Sequence, residues 1–352
     1  MAPPMPESAI IRQMTPETVT ISELDTRIIR CLQLSPRIPF RTVGDILGTS
    51  EQTVARRYRA LERSGLIRVT AVVRPMALGQ SNWMVRVQCR PSGAESLAQA
   101  LAQRDDVSWV TLVSGGAEIV CVLRSRTSQA RDDLLMKRLP RTAPVLAMSA
   151  SMVLHRFVAA DAAPAGDWTG LADRLTEQQT AAVLATSDFT TPAEDTHFDL
   201  QPGDLQLLAA LAEDGRAPTA RLATATGMSE GRVTRRLRAL LEGGAAFFDV
   251  DLSVAALGLH TTAQLWLTVT PAELHRAGVA LGAAQEIAFA GAITGPQNLT
   301  AVVLCRDVPA LYRFVTEKIG AIAGVQSLEI CPTLRTVKQA GALTDGSRLL
   351  VP

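Results

Sequence analysis

The chain has 352 residues, 47% of them apolar, 20% charged and 4% aromatic, with a formal net charge of +1. That length requires several cores, the apolar content excludes intrinsic disorder, and the scarcity of rings argues against a stacking platform for single-stranded nucleic acid. The near-neutral total hides a segregation: residues 22–74 carry ten Lys or Arg against five Asp or Glu, whereas residues 158–200 carry one against eight.

The first twenty residues have no basic region leading into an apolar run, and nowhere do about 18 apolar residues run together, so a cytoplasmic protein with no membrane partner is expected. Three helices then follow, at Ser22–Leu34, Phe40–Leu47 and Glu51–Arg63. Ser22 with Asp25 resembles a capping box, Pro36 and Pro39 separate the first two helices, Gly48 ends the second, and Ser50 caps the third. A tight turn between the second and third makes a helix-turn-helix. At 100° per residue, Val54, Tyr58 and Leu61 form an inward stripe, and Gln52, Arg56, Arg59 and Arg63 lie within about 40° of the opposite direction. Arg57 sits on the flank, placed to bond the fold or a phosphate.

From residue 82 the periodicity changes to a strand WMVRVQC, a helix GAESLAQALAQ, strands VSWVTLVS and AEIVCVLR, a helix SQARDDLLMKRL and a strand VLAMSASMVLH. This β-α-β-β-α-β order is the ferredoxin-like split βαβ arrangement. Residues 158–197, with Pro164, Gly166 and Pro192, read as a linker, although WTGLADRLTEQQTAAVLAT within it has helical character. Everything then recurs. Asp25 lies over Asp204 at a shift of 179, as do Arg37 over Arg216, Gly48 over Gly227, Ser50 over Ser229, Arg56 and Arg57 over Arg235 and Arg236, and Arg59 over Arg238. A second βαββαβ run follows, so the fold class is α+β, with two winged-type helix-turn-helix domains and two βαββαβ domains. The expected boundaries are 1–20 extension, 21–67 first helix-turn-helix, 68–157 first βαββαβ domain, 158–197 linker, 198–246 second helix-turn-helix, 247–340 second βαββαβ domain and 341–352 tail.

An Arg-rich helix face is often merely solvated, but here it follows a turn signal and an N-cap and recurs 179 positions later. Arg suits guanine edges or phosphates and Gln suits adenine, so double-stranded DNA is the expected partner. The candidate DNA-binding residues are Ser50, Gln52, Thr53, Arg56, Arg57, Arg59 and Arg63, with Ser229, Arg232, Arg235, Arg236 and Arg238 in the second copy. That copy is weaker: Gly231 stands in place of Gln52, Glu242 in place of Arg63, and residues 198–257 are net −2 against +5 for the first segment. Five cysteines, Cys31, Cys89, Cys121, Cys305 and Cys331, fall singly in apolar runs without zinc-ligand spacing, and read as buried thiols. No metal, other cofactor or catalytic residue is expected.

The run LDTRIIRCLQLSPRIPFRTVGDILGTSEQTVARRYRALERSGLI, followed by β residues and Ala-Leu-Gly, resembles the start of an Lrp/AsnC (feast-or-famine) transcriptional regulator, and the βαββαβ parts resemble that family's effector-sensing domain. The resemblance implies paired heads on one DNA face, homo-oligomers, and a small effector such as an amino acid bound between sensing domains. A fused pair would form an intrachain pseudo-dimer in which LIRVTAVV and AAFFDVDL pair as strands. The sensing turn of the family has Asp three residues after a Gly. Here the matching residues are Gly115, Gly116 and Glu118, and Gly295 and Asn298, which are the candidate effector positions. Two rival readings are a siroheme-decarboxylase-like enzyme, for which only His155, His197, His260 and His275 offer imidazoles, and a protein-interaction module with degenerate heads.

Overall fold

Ser22 opens the first helix because its hydroxyl accepts the Asp25 amide while the Asp25 carboxylate accepts the Ser22 amide at 2.8 Å, satisfying two donors that a helix start would leave orphaned. The computed structural model describes residues 21–74, 76–124, 127–158, 168–187, 198–345 and 348–350. Helices α1 (Glu23–Leu34), α2 (Phe40–Leu47) and α3 (Glu51–Arg63) lie where the periodicity predicts them. Gly48 turns the chain out of α2 at φ 70°, and the Ser50 hydroxyl accepts the Thr53 amide at 3.2 Å to start α3. Val54, Tyr58 and Leu61 are buried against Ile28, Leu32 and Val43.

Strand β1 (Ile67–Val73) leaves this head, and the first α/β unit follows as β2 (Asn82–Cys89), α4 (Pro91–Ala102), β3 (Val107–Val113), β4 (Glu118–Arg124), α5 (Ser128–Asp132) and β5 (Val145–Val158). After α6 (Glu177–Leu184) the second head is built from α7 (Asp204–Glu213), α8 (Thr219–Thr226) and α9 (Glu230–Glu242), then β6 (Ala246–Leu252). The second α/β unit is β7 (Thr261–Val269), α10 (Leu274–Gly282), β8 (Ile287–Ile293), β9 (Leu299–Cys305), α11 (Val308–Arg313) and β10 (Val325–Gln339). Strands β1 and β6 pair antiparallel from Ile67 opposite Leu252 to Val73 opposite Ala246, the pairing expected of an intrachain pseudo-dimer.

Each α/β unit is an antiparallel sheet in ferredoxin-like order, β3-β4-β2-β5 and β8-β9-β7-β10. The two last strands are long enough to serve both units. β5 pairs with β2 up to Met152 and continues onto β8 from Val153, while β10 pairs with β7 up to Pro332 and continues onto β3 from Thr333. The eight strands are therefore joined in one closed circuit of pairings, the two long strands passing from one unit to the other. Alternation sorts the side chains: Val85 and Val87 pack under the helices of their unit, whereas Met84 joins Val120, Trp266, Ile293 and Cys331 between the two units.

Two expectations need correction. The linker over 158–197 contains a docked segment: Trp168, Leu171, Leu175 and Val183 are buried in the core of the first head, and the Trp168 indole donates to the Gln285 carbonyl at 2.7 Å. An eight-residue helix is not stable alone, so α6 exists because Thr176 and Gln179 cap it reciprocally and the head covers Val183. Residues 159–167 and 188–197, including Pro164, Gly166, Pro192 and His197, lie outside the described residues. The supposed tail 341–352 adds β11 (Ala342–Asp345) and β12 (Arg348–Leu349) to the sheet, and the Leu349 amide donates to the Gly65 carbonyl at 2.9 Å. Among the described residues no helix is long and apolar enough to cross a membrane.

Candidate nucleic-acid interface

The outward face of α3 emerges from its packing. With Val54, Tyr58 and Leu61 turned inward, Gln52, Arg56, Arg59 and Arg63 are all exposed. Glu62 would dilute this charge, but its carboxylate accepts the Tyr58 hydroxyl at 2.9 Å at the edge of the core. Ser50 and Thr53 are engaged in the cap, their hydroxyls 2.9 Å apart. Arg63 donates from Nε to the Arg59 carbonyl at 3.1 Å, which leaves its terminal nitrogens outward.

Arg57 stands apart from this row. Its guanidinium lies 3.3 Å from the buried Asp25 carboxylate and ties α3 to α1. The repeat reproduces the pair as Arg236 and Asp204 at 2.6 Å, with the carboxylate fully buried. These two arginines thus tie α3 and α9 to the first helix of their heads, on the flank of the outward row.

In the second head, Ser229 caps α9 with its hydroxyl 3.4 Å from the Arg232 amide, and Arg232, Arg235 and Arg238 are exposed. Arg232 donates to the Pro202 carbonyl at 3.4 Å, and Arg238 approaches Glu242 at 3.8 Å. Gly231 adds no side chain to this face. Three arginines remain outward, one of them partly neutralised, against the Gln-and-Arg row of α3.

The two turns that hold the candidate effector positions lie at the junction of the two units. Gly115 and Gly116 have φ of 68° and 85°, and Gly295 has 117°, a backbone region that favours glycine. Thr294, beside Gly295, exchanges hydrogen bonds with Met152 of the long strand from the other unit, at 3.0 and 2.9 Å. The polar candidates beside these turns are already engaged. Asn298 accepts the Val269 amide at 2.8 Å and donates to the Val269 carbonyl at 2.7 Å. Glu118 is buried in a bidentate pair with Arg86.

That pair belongs to a network no sequence motif announced. Arg86 also donates to both oxygens of Glu329, at 2.9 and 2.7 Å, and lies 4.5 Å over the Trp266 ring. The Arg86 guanidinium holds the Glu329 carboxyl below its ordinary range. Glu118, Glu329 and Cys331 bring their ligand atoms within 4.8 Å of one another, but the guanidinium already satisfies both carboxylates. The available signal was a lone Arg within the apolar strand WMVRVQC. A cavity of about 590 Å³ lies elsewhere, between α10 and residues 314–323 beyond α11, lined by Ala277, Ala280, Phe314, Lys318 and Ile322.

Comparison with known proteins accords with this architecture. The AsnC-type helix-turn-helix domain matches residues 21–62 and 203–241, and the Lrp/AsnC ligand binding domain matches 82–162 and 262–343. The HTH-type transcriptional regulator FL11 of Pyrococcus abyssi is 30% identical over 119 residues, covering 33% of this chain and 79% of FL11. The HTH-type transcriptional regulator LrpA of the same organism is 28% identical over 139 residues, 39% of this chain and 99% of LrpA. Among solved structures, the siroheme decarboxylase NirDL superposes over 90% of this chain and 93% of its own, with a TM-score of 0.60 at 13% identity, a likeness of fold.

Proposed function

The chain belongs to the Lrp/AsnC family, with both domains present twice, and we propose that it is a DNA-binding transcriptional regulator whose first head carries most of the contact with double-stranded DNA. One observation carries this reading: the exposed row of Gln52, Arg56, Arg59 and Arg63, on a helix held in place by the Arg57–Asp25 pair. A helix inserted in the major groove along that row would present a Gln amide and guanidinium forks to base edges and phosphates. The second head contributes with Arg232, Arg235 and Arg238, and the recognised site is imperfectly symmetric.

The protein acts in the cytoplasm as a regulator rather than an enzyme, and a small-molecule effector such as an amino acid or metabolite modulates it through the sensing units. The intrachain pseudo-dimer assembles with further copies of itself. Likeness to a siroheme decarboxylase is one of fold, and the recognition-helix row has no part to play in such chemistry.

The test is the double substitution Arg56→Ala with Arg59→Ala, titrated by fluorescence anisotropy against DNA recovered by genomic footprinting of the native protein. Affinity is expected to fall about a hundredfold or more, and the salt dependence to lose about one counterion for each phosphate contact removed. Retention of wild-type affinity would refute the face assignment.

A further inference from the structure

Resting on that reading, we infer that Arg37 and Arg216 are positioning residues for DNA binding, each gripping the opposite head and so setting the spacing and rotation of the two recognition helices. Arg37, between α1 and α2, donates to the Gly215 carbonyl at 2.5 Å and to the Ala217 carbonyl at 3.2 Å. Arg216, between α7 and α8, donates to the Pro36 carbonyl at 2.6 Å and to the Ile38 carbonyl at 2.8 Å. Every member of one half of this clasp lies 179 positions from its counterpart in the other, so the two halves are related by the repeat itself.

The clasp is built rather than incidental. Arg216 stacks 4.4 Å over Phe40 at the start of α2 and 5.5 Å over Tyr58 in α3, so it touches the recognition helix of the first head directly. Arg37 lies 5.2 Å over Phe248, in the strand that leaves the second head. Gly215 is pressed against β1, where its amide donates to the Val69 carbonyl at 2.9 Å and a Cβ would lie 2.8 Å from that same oxygen.

The heads are otherwise joined by the β1–β6 ribbon, which alone would twist readily, and by α7, whose Leu207, Leu208 and Leu211 pack with Ala71 of β1. A planar guanidinium that bonds two carbonyls resists rotation about either bond, which a single hydrogen bond does not. Two such forks, related by the repeat, add to that packing and hold the angle between the heads. A fixed angle matters because two recognition helices can enter successive major grooves only at matched spacing and phase.

The experiment uses the full chain and the fragment it selects from a random duplex pool, with one, two or five base pairs added or removed between the two contacted halves. Wild type is expected to lose about tenfold in affinity within two base pairs of its optimum. Arg37→Ala with Arg216→Ala is expected to flatten that profile to within about threefold while binding an isolated first half-site as wild type does. Arg37→Lys with Arg216→Lys, which keeps the charge but not the fork, falls between and serves if the alanine form does not fold. A variant profile parallel to that of wild type overturns the inference, as does a wild type indifferent to spacing. A wild type that selects no DNA overturns the reading of function first and this inference with it.

Discussion

Arg86 and Trp266 occupy the same place in the two units, one opposite Val120 and Ser149, the other opposite Thr300 and Glu329. In a symmetric dimer that position would meet a copy of itself, and two buried guanidiniums would repel. Within one chain the two positions need not be identical, which removes the constraint: an Arg is matched by an indole, and the carboxylates are supplied asymmetrically by Glu118 and Glu329. A desolvated cation–π contact contributes about 2 kcal/mol, and the hydrogen bonds to charge contribute more. Trp266→Arg is therefore expected to destabilise the fold by about 3 kcal/mol, since it places a second, unpaired charge in a buried position. Trp266→Phe, which keeps a ring, should cost markedly less. Chemical denaturation reads both, and equal stability of wild type and Trp266→Arg would show that the two side chains are not coupled.

The corresponding helix is built unequally in the two heads. Both α3 and α9 are capped by Ser, begin with Glu and are held by an Arg–Asp pair to the first helix of their head. They differ at the second helical position, where α3 has an exposed Gln52 and α9 an exposed Gly231 with no atom within 4 Å of where a Cβ would stand. Glycine also weakens the start of α9, by up to about 1 kcal/mol relative to a residue with a side chain. Gly231→Gln should thus raise both helix stability and DNA affinity, the latter by about three- to tenfold, and draw the selected sequences towards symmetry. Site selection with this variant tests the point. An unchanged consensus and affinity would mean that α9 does not enter a groove.

At the scale of the molecule, segments outside the repeat complete the first head. Trp168, Leu171, Leu175 and Val183 fill its core, the Trp168 indole reaches Gln285 in the second sensing unit, and the Leu349 amide closes onto Gly65. Among the described residues no comparable segment covers the second head, whose core is drawn from α7, α8, α9 and the strands beside them. The better-equipped recognition helix therefore sits on the more heavily buttressed head. Trp168→Ala is expected to cost about 3–5 kcal/mol, the usual range for a buried Trp, and to loosen α1 and α6 together in hydrogen exchange while α7 and α9 keep their protection. Uniform loss of protection in both heads would show that the connector braces the whole molecule rather than one end.

What was legible in the sequence is what short-range periodicity writes there. The caps at Ser22 and Ser50, the Gly48 turn, the outward row of Gln52, Arg56, Arg59 and Arg63, and the βαββαβ order all follow from residues within a turn or a strand of each other, and a duplicated unit states them twice. The β1–β6 pairing was also within reach, because a fused pair must do with itself what two chains do with each other. The rest depended on neighbours about 180 residues away. Arg37 and Arg216 read as two matched residues until folding set each against the other's carbonyls, and Arg86 was one charge in an apolar strand until Trp266 and Glu329 were brought to it. The resemblance alone names Glu118 and Asn298 as effector positions, and only folding bonds their polar atoms to Arg86 and Val269. Local propensity shapes an element, but only the closed ring of strands decides which elements face each other, and with that which polar groups are left to meet a ligand.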